Sequence, residues 1–190
     1  KVNEFIYFYY HLYKNCPYVA YPLDYDERST LSRKKNPAHN HCSNKLWLAY
    51  EGNRIVGRIA VIINDIEVAQ VKNPIGRFGF FDFIDDLEVS KLLMDTGIEW
   101  LKSKGIKLIH GPFGFTDLDR QGMLIQGHDR MGTMATIYNF EYYSKHMAAL
   151  GFEKKIDWVE YTFSRADRQL PEKIGEISAL VQQRYGLRSM

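Results

Sequence analysis

The segment "GFFDFIDDLEVSKLL", Gly79–Leu93, constrains this chain most, because it runs a strand directly into a helix. The predicted helix covers Asp86–Lys104. Val89, Leu92, Leu93, Thr96, Gly97, Trp100 and Leu101 fall on one stripe, and Glu88, Lys91, Asp95, Glu99 and Lys102 on the opposite, solvated face. Gly105 ends it, and "IKLIHG" (106–111) reads as the next strand. Upstream, "KLWLAYEGNRIVGRIAVIIN" is a hairpin turning at Gly52-Asn53. Its second arm, Ile55–Ile63, is nearly all apolar, as in a strand covered on both faces. Arg77–Ile84 is the following strand. Downstream, "NFEYYSKHMAALGF" reads as a helix stopped by Gly151, and "DWVEYTF" alternates like a strand. Hairpin, strand, helix, strand, helix and strand together predict an α/β chain with a central mixed sheet flanked by helices.

A strand-to-helix corner is where many α/β proteins hold a phosphate on unpaired helix-end amides. Here Asp85, Asp86 and Glu88 occupy it, with no glycine between Ile84 and Val89. Asp85 and Glu88 have the spacing of a capping box, in which the two side chains satisfy those amides reciprocally. Carboxylates at a helix N-terminus favour the dipole by about 0.3–1 kcal/mol each and repel an incoming pyrophosphate. The spacing points to a structural cap, with a surviving cofactor corner as the alternative.

At 190 residues and 45% hydrophobic content the chain is long enough to bury a proper core. A net charge of +2 is too small for the basic face of a nucleic-acid binder. No apolar run is long enough to span a membrane. Cys16 and Cys42 are read as reduced thiols, and the expected location is cytoplasmic. Helices open and close the chain. The first carries Phe5, Phe8, Tyr9, Leu12 and Tyr13 at helical spacing, which reads as core or subunit packing. The last starts at Pro171, with Ile174, Ile177, Leu180, Val181 and Tyr185 as its stripe and Gly186 as its stop. The expected division is a domain over 1–165, its core at 45–163, and a helical extension over 166–190. With no initiator Met, the chain reads as a piece of a longer protein whose second domain would follow.

Three further segments carry polar chemistry. "GPFGFTDLDRQGMLIQGHD" crowds four glycines, Asp117, Asp119, His128 and Asp129 into one loop-rich stretch after a strand. "HNHC" (39–42) holds three potential metal ligands but lacks the second cluster that zinc sites use, so a polar loop is expected and no metal. Tyr138, Asn139, Tyr142 and Tyr143 open the last helix of the core, where tyrosine packing is a sufficient reading.

The order of elements, closed by "YYSKHMAALGFEKKIDWVEYTF", resembles the GNAT superfamily of acyl-CoA N-acyltransferases over about Lys45–Phe163. "RFGFFDFIDD", "GPFGFTDLDRQGMLIQGHD" and "GTMATIYNFEYYSKHMAALGF" are similar to a bacterial branch of GNAT-like proteins longer than this chain. The resemblance implies an acyltransferase that takes an acyl group from acetyl-CoA or another acyl-CoA and passes it to an amine. Small-molecule donor and acceptor are then the partners, without nucleic acid or membrane. It places the acyl arm along the backbone of Phe81, Phe83 and Ile84, with Asn139 and Tyr143 beside it, and makes Asp119 or His128 the base. The sequence departs from the family pattern twice. The glycine-rich pyrophosphate loop is missing, and Met147 stands where many members place the tyrosine that protonates the departing thiolate. The rival implication is a non-catalytic half that packs on a second domain or on another copy of the chain.

Overall fold

The computed structural model describes residues 1–71, 74–163 and 172–186. The chain divides into two compact units, Lys1–Glu153 and Lys154–Met190. The first is built on a four-stranded sheet of order β1-β2-β3-β4, with β1 at Cys42–Glu51, β2 at Arg54–Asn64, β3 at Ile75–Phe83 and β4 at Leu108–His110. β1 and β2 form the antiparallel hairpin read from Gly52-Asn53, and Gly52 supplies the positive φ of +57° its turn requires. β3 pairs antiparallel with β2, and β4 pairs parallel with β3.

The helices follow from the periodicity, with shifts. α1 (Val2–Leu12), α2 (Asp24–Thr30) and the short α3 (Asp65–Gln70) precede β3. α4 (Leu87–Ser103) links β3 to β4, and α5 (Tyr142–Ala149) closes the unit. The buried stripe of α4 is Ser90, Leu93, Met94, Gly97 and Leu101. Leu92, expected inside, is 60% exposed, because the helix is rotated so that Gly97 sits over Val61 and Leu93 over Gly57. Alternation along β2 therefore sends Gly57, Ile59 and Val61 toward α4. Arg58, between them, goes to the other face and meets α1, its Nη1 donating to the Phe5 carbonyl at 2.9 Å. The aromatic stripe of α1 is spent inside this unit, since Phe5, Phe8, Tyr9 and Tyr13 are all buried.

Two irregularities shape the β3–β4 side. Arg58 opposes Asp82 and Ala60 opposes Gly79, so Phe80 and Phe81 together face Ile59. This is a β-bulge, and Phe80 takes a positive φ of +46° in it. The β3–β4 ladder runs only from Ile75↔Leu108 to Arg77↔His110 before the strands part. The chain then crosses β3, with Phe113 N–H bonded to the Phe78 carbonyl at 2.7 Å. A Cβ on Gly79 would lie 2.1 Å from the Phe113 carbonyl oxygen, so glycine is required at this crossing.

Two expectations need correction. The cap of α4 is Asp86, whose carboxylate accepts from Glu88 N–H at 2.9 Å, and not Asp85 in a box with Glu88. The backbone enters the helix one residue later than the pattern implied, which frees Asp85 for a partner described below. No strand forms over 157–163. Those residues alternate as a strand would, but alternation forms a strand only against a partner, and Trp158, Val159, Tyr161 and Phe163 remain exposed. In the second unit, α6 (Glu172–Tyr185) carries the expected stripe, with Ile174, Ile177, Leu180, Val181 and Tyr185 all 40% or more exposed. Gly186 follows it with φ +62°, and Pro171 lies outside the described residues.

Arg58 is 1% exposed and fully dependent on its partners. Replacing it by Met should cost about 3–5 kcal/mol in denaturant unfolding, because Asp82 is left as an uncompensated buried charge. Adding Asp82→Asn to Arg58→Met should recover part of the loss; a single variant as stable as the parent would contradict this account.

Candidate functional site

Beyond the point where β3 and β4 part lies a cavity of about 240 Å³. Its walls come from α1, α2, the β3 bulge and the loop after β4, with Phe80, Phe81, Phe113, Met123 and Ile137 supplying apolar surface. Its charged lining is Arg58, Asp82, Glu27, Asp26, Asp119 and Arg120.

The floor is a single ionic cluster. Arg58 Nε donates to Asp82 Oδ2 at 2.7 Å, and Arg58 Nη1 lies 3.9 Å from Glu27 Oε2. Arg120 Nη2 donates to Glu27 Oε1 at 2.8 Å, tying the loop after β4 to α2. The rings of Phe5, Tyr9 and Phe80 surround the Arg58 guanidinium at 5.2, 5.3 and 5.5 Å. Burial works against the Arg58 charge, but Asp82 and Glu27 outweigh it and its pKa is raised overall. Glu27 is 6% exposed, and its Oε2 has no hydrogen-bond partner. The charge of that oxygen is met by the Arg58 guanidinium at 3.9 Å and not by a hydrogen bond.

Asp82 also receives two phenols. Tyr13 and Tyr143 hydroxyls contact Asp82 Oδ1 at 3.3 and 3.4 Å and each other at 2.8 Å. Burial, and then the neighbouring charge or phenol, holds both hydroxyls protonated far into the alkaline range. Tyr143 Oη in turn accepts from Phe83 N–H at 3.3 Å, while the Tyr142 hydroxyl donates to the Phe83 carbonyl. Both main-chain groups of Phe83 on the open edge of β3 are thus covered by α5. Phe81 shares that edge by strand alternation. Ile84 does not, because its N–H goes to the Val56 carbonyl on the β2 side.

The corner at α4 is a structural joint. Asp85 Oδ1 meets His146 Nε2 at 3.1 Å, and His146 Nδ1 meets Ser90 Oγ at 2.9 Å. Ser90 is fully buried and its hydroxyl also donates to the Leu87 carbonyl, so this chain knits α5 to α4 and presents no nucleophile.

The sequence-derived residues separate in space. Asp119 lines the cavity, with Oδ2 accepting from Thr116 N–H at 2.9 Å. His128 is not among the lining residues; its carbonyl accepts from the Tyr138 hydroxyl and its ring packs against Tyr138. Asn139 lines the cavity, but its amide is consumed by Leu124 N–H, the Leu124 carbonyl and the Phe140 carbonyl. It clamps the loop and has little left for a ligand. Glu27, Arg58, Asp82, Arg120 and Tyr13 were missed as site residues. For two of them a signal existed: Arg58 stands alone in "IVGRIAVII" and Asp82 alone in "FFDF", and a charge in a buried strand implies a partner. Among the described residues no group of His, Cys, Asp and Glu is placed to hold a metal ion, and no helix is long and apolar enough to cross a membrane.

No family model matches the chain. It is 30% identical to Protein YghO of Escherichia coli over 98% of its own length and 48% of that protein's. It is 27% identical to the bacterial ceramide synthase of Caulobacter vibrioides, over 86% of this chain and 41% of that one. The chain therefore spans about half the length of the curated relatives it matches. Among solved structures, a predicted acetyltransferase from Clostridium acetobutylicum, crystallised with acetyl-CoA, matches over 85% of this chain and 92% of its own. The TM-score is 0.51 at 12% sequence identity, a likeness of fold alone. The mixed sheet flanked by helices has the topology of the GNAT-like α/β fold.

Proposed function

We propose that the domain is an acyl-CoA-dependent N-acyltransferase whose amine acceptor occupies the cavity beside β3. The observation that carries this reading is a cavity beside the open edge of β3 that is lined by the carboxylates of Glu27, Asp26, Asp82 and Asp119, a lining that suits an ammonium group. The likeness to a ceramide synthase, an enzyme named for an amide-containing product, supports amide formation as the reaction.

The residues fit the acyl end of the donor better than its nucleotide end. Phe83 has its main-chain groups on the edge of β3, the N–H donating to Tyr143 Oη and the carbonyl accepting from the Tyr142 hydroxyl. At the α4 corner, Asp86 takes the Glu88 amide while Asp85 and Glu88 add negative charge, so nothing there replaces a pyrophosphate loop. When bound, the donor supplies an activated acyl carbon. Glu27 holds the ammonium, and the apolar walls disfavour its charge. Asp119, held at one oxygen by Thr116 N–H, accepts the proton. The neutral amine attacks the acyl carbon, the C–S bond breaks, the second proton of the attacking nitrogen passes to the departing thiolate, and Tyr143, kept protonated by burial, hydrogen-bonds that sulfur.

Asp119→Asn should lower kcat by about 10²–10⁴-fold with little change in KM for the amine. Glu27→Gln should instead act mainly on that KM. Steady-state assays with an acyl-CoA series and primary amines read both, and full activity in Asp119→Asn would remove the base assignment.

The donor arm needs the main-chain groups that Tyr142 and Tyr143 cover. Tyr142→Phe removes one competing hydroxyl and exposes the Phe83 carbonyl, so it should tighten acyl-CoA binding several-fold in calorimetry. Weaker or unchanged binding would mean that the arm does not run along Phe83. No heat with any acyl-CoA, for parent or variant, would favour a non-catalytic GNAT-like half instead.

A further inference from the structure

We infer that the turn Thr116–Gln121 is a flap on the cavity beside β3, held shut by the ion pair of Arg120 with Glu27, and that its closure sets Asp119 in place. The inference rests on the reading above only for the role of Asp119. The turn is a preformed unit. Thr116 N–H donates to Asp119 Oδ2 at 2.9 Å, Asp119 N–H to the Thr116 carbonyl at 3.2 Å, and Leu118 N–H to Thr116 Oγ1 at 3.3 Å. These bonds travel with the turn when it moves. Its two ends are fixed. Phe115 is fully buried with Ala38, Cys42 and Ile62, and Gly122 N–H donates to the Pro112 carbonyl at 2.9 Å, which closes the base of the loop. Between these ends Leu118, Asp119 and Arg120 line the cavity, with Leu118 98% exposed at the tip.

Asp117 and Arg120 tie the turn outward, and unequally. Asp117 Oδ1 lies 3.7 Å from Arg77 Nη2, but its side chain is 86% exposed, and such a pair is worth little. Arg120 Nη2 donates to the buried Glu27 Oε1 at 2.8 Å, which makes it the latch. The latch can open because of what it leaves behind. Glu27 keeps the Arg58 guanidinium at 3.9 Å, so no carboxylate is stranded, and the Arg120 side chain is already 20% exposed and passes into water. The closed seat is specific too. A Cβ on Gly114 would lie 2.3 Å from Asp119 Cβ, so Asp119 rests on bare backbone, and the Gly114 carbonyl is held by Arg77 Nη1 at 3.5 Å. Asp119 therefore reaches its position only with the turn seated.

Limited digestion of the intact chain with chymotrypsin tests this. Cleavage after Leu118 requires the turn to leave its seat, so its rate follows the open population. Cleavage at the exposed Trp158, Tyr161 and Phe163 is the internal reference. Arg120→Gln removes the latch charge, and Gly114→Ala fills the seat without touching the ion pair. Each should speed the Leu118 cut about tenfold relative to that reference. Added salt should speed it in the parent and not in Arg120→Gln. Unchanged rates in both variants would overturn the flap. A variant that loses its fold shows instead new cuts at the buried Phe78 and Phe83, and the salt response of the parent then decides. Acyl transfer to primary amines reads the positioning role. Arg120→Gln should lower kcat in the parent and cost nothing further in Asp119→Asn; an equal loss in both backgrounds would overturn that role. A flap that opens as described in a chain with no transfer from any acyl-CoA leaves the flap standing and removes the transferase reading.

Discussion

The fold of the first unit depends on one buried cation. Arg58 projects from the middle of β2 into a space closed by α1, α2 and β3, bonded to Asp82 and to the Phe5 carbonyl and set near Glu27. Bringing a guanidinium and two carboxylates out of water is costly, and their attraction offsets that only when the geometry is good. Five elements are fixed by meeting this requirement: β2, β3, α1, α2 and, through Arg120 on Glu27, the loop after β4. An apolar cluster in the same space would hold the layers together but would leave their relative placement loosely specified. The same charges form the floor of the cavity.

The parting of β3 from β4 creates a second requirement. Past Phe78, no strand among the described residues lies beside the outer edge of β3, and buried main-chain groups need partners. Tyr142 and Tyr143 provide them at Phe83. Their ring faces also pack on the sheet, Tyr143 stacking on Phe83 at 4.4 Å. Side-chain hydroxyls can release a strand edge in a way that a neighbouring strand cannot, because a rotation about one torsion breaks the bond without unzipping a ladder. The Phe83 main chain is therefore held by two phenols, while the α4 corner is knitted by Asp86 and by the Asp85–His146–Ser90 chain.

Much of this was legible in the sequence, for a physical reason. The hairpin, the apolar β2, the strand–helix–strand unit and the aromatic α1 are written as local periodicities, and periodicity follows from burial on one face or two. What was not legible depends on register. Nothing local in "FFDF" says that Asp82 meets Arg58, because a two-residue bulge at Phe80-Phe81 sets that pairing. The choice between Asp85 and Asp86 as cap turned on where one φ changes, and the rotation of α4 that exposes Leu92 turned on a glycine packing over Val61. The segment 157–163 misled because its alternation is a property of the side chains, while a strand is a property of two backbones. The loop from Gly111 to Asn139 has no period at all. Its contribution to the cavity rests on Gly79 admitting the Phe113 carbonyl, and on Asn139 clamping Leu124.

Two consecutive residues of β3 face different surroundings. Strand geometry sends the Asp82 side chain to the α1 face, into the Arg58 cluster and the cavity, while the main-chain groups of Phe83 lie in the sheet plane on the open edge. Side chain and backbone of one strand are perpendicular, so a single segment can line an acceptor pocket and bind an extended arm without either site excluding the other. Tyr143 spans both, with its hydroxyl on Phe83 N–H, on Tyr13 and near Asp82. Met147, one helical turn further along α5, packs in the apolar core instead. Tyr143 reaches the strand edge from the preceding turn, and the bulge at Phe80-Phe81 lies in the same strand at the cavity wall.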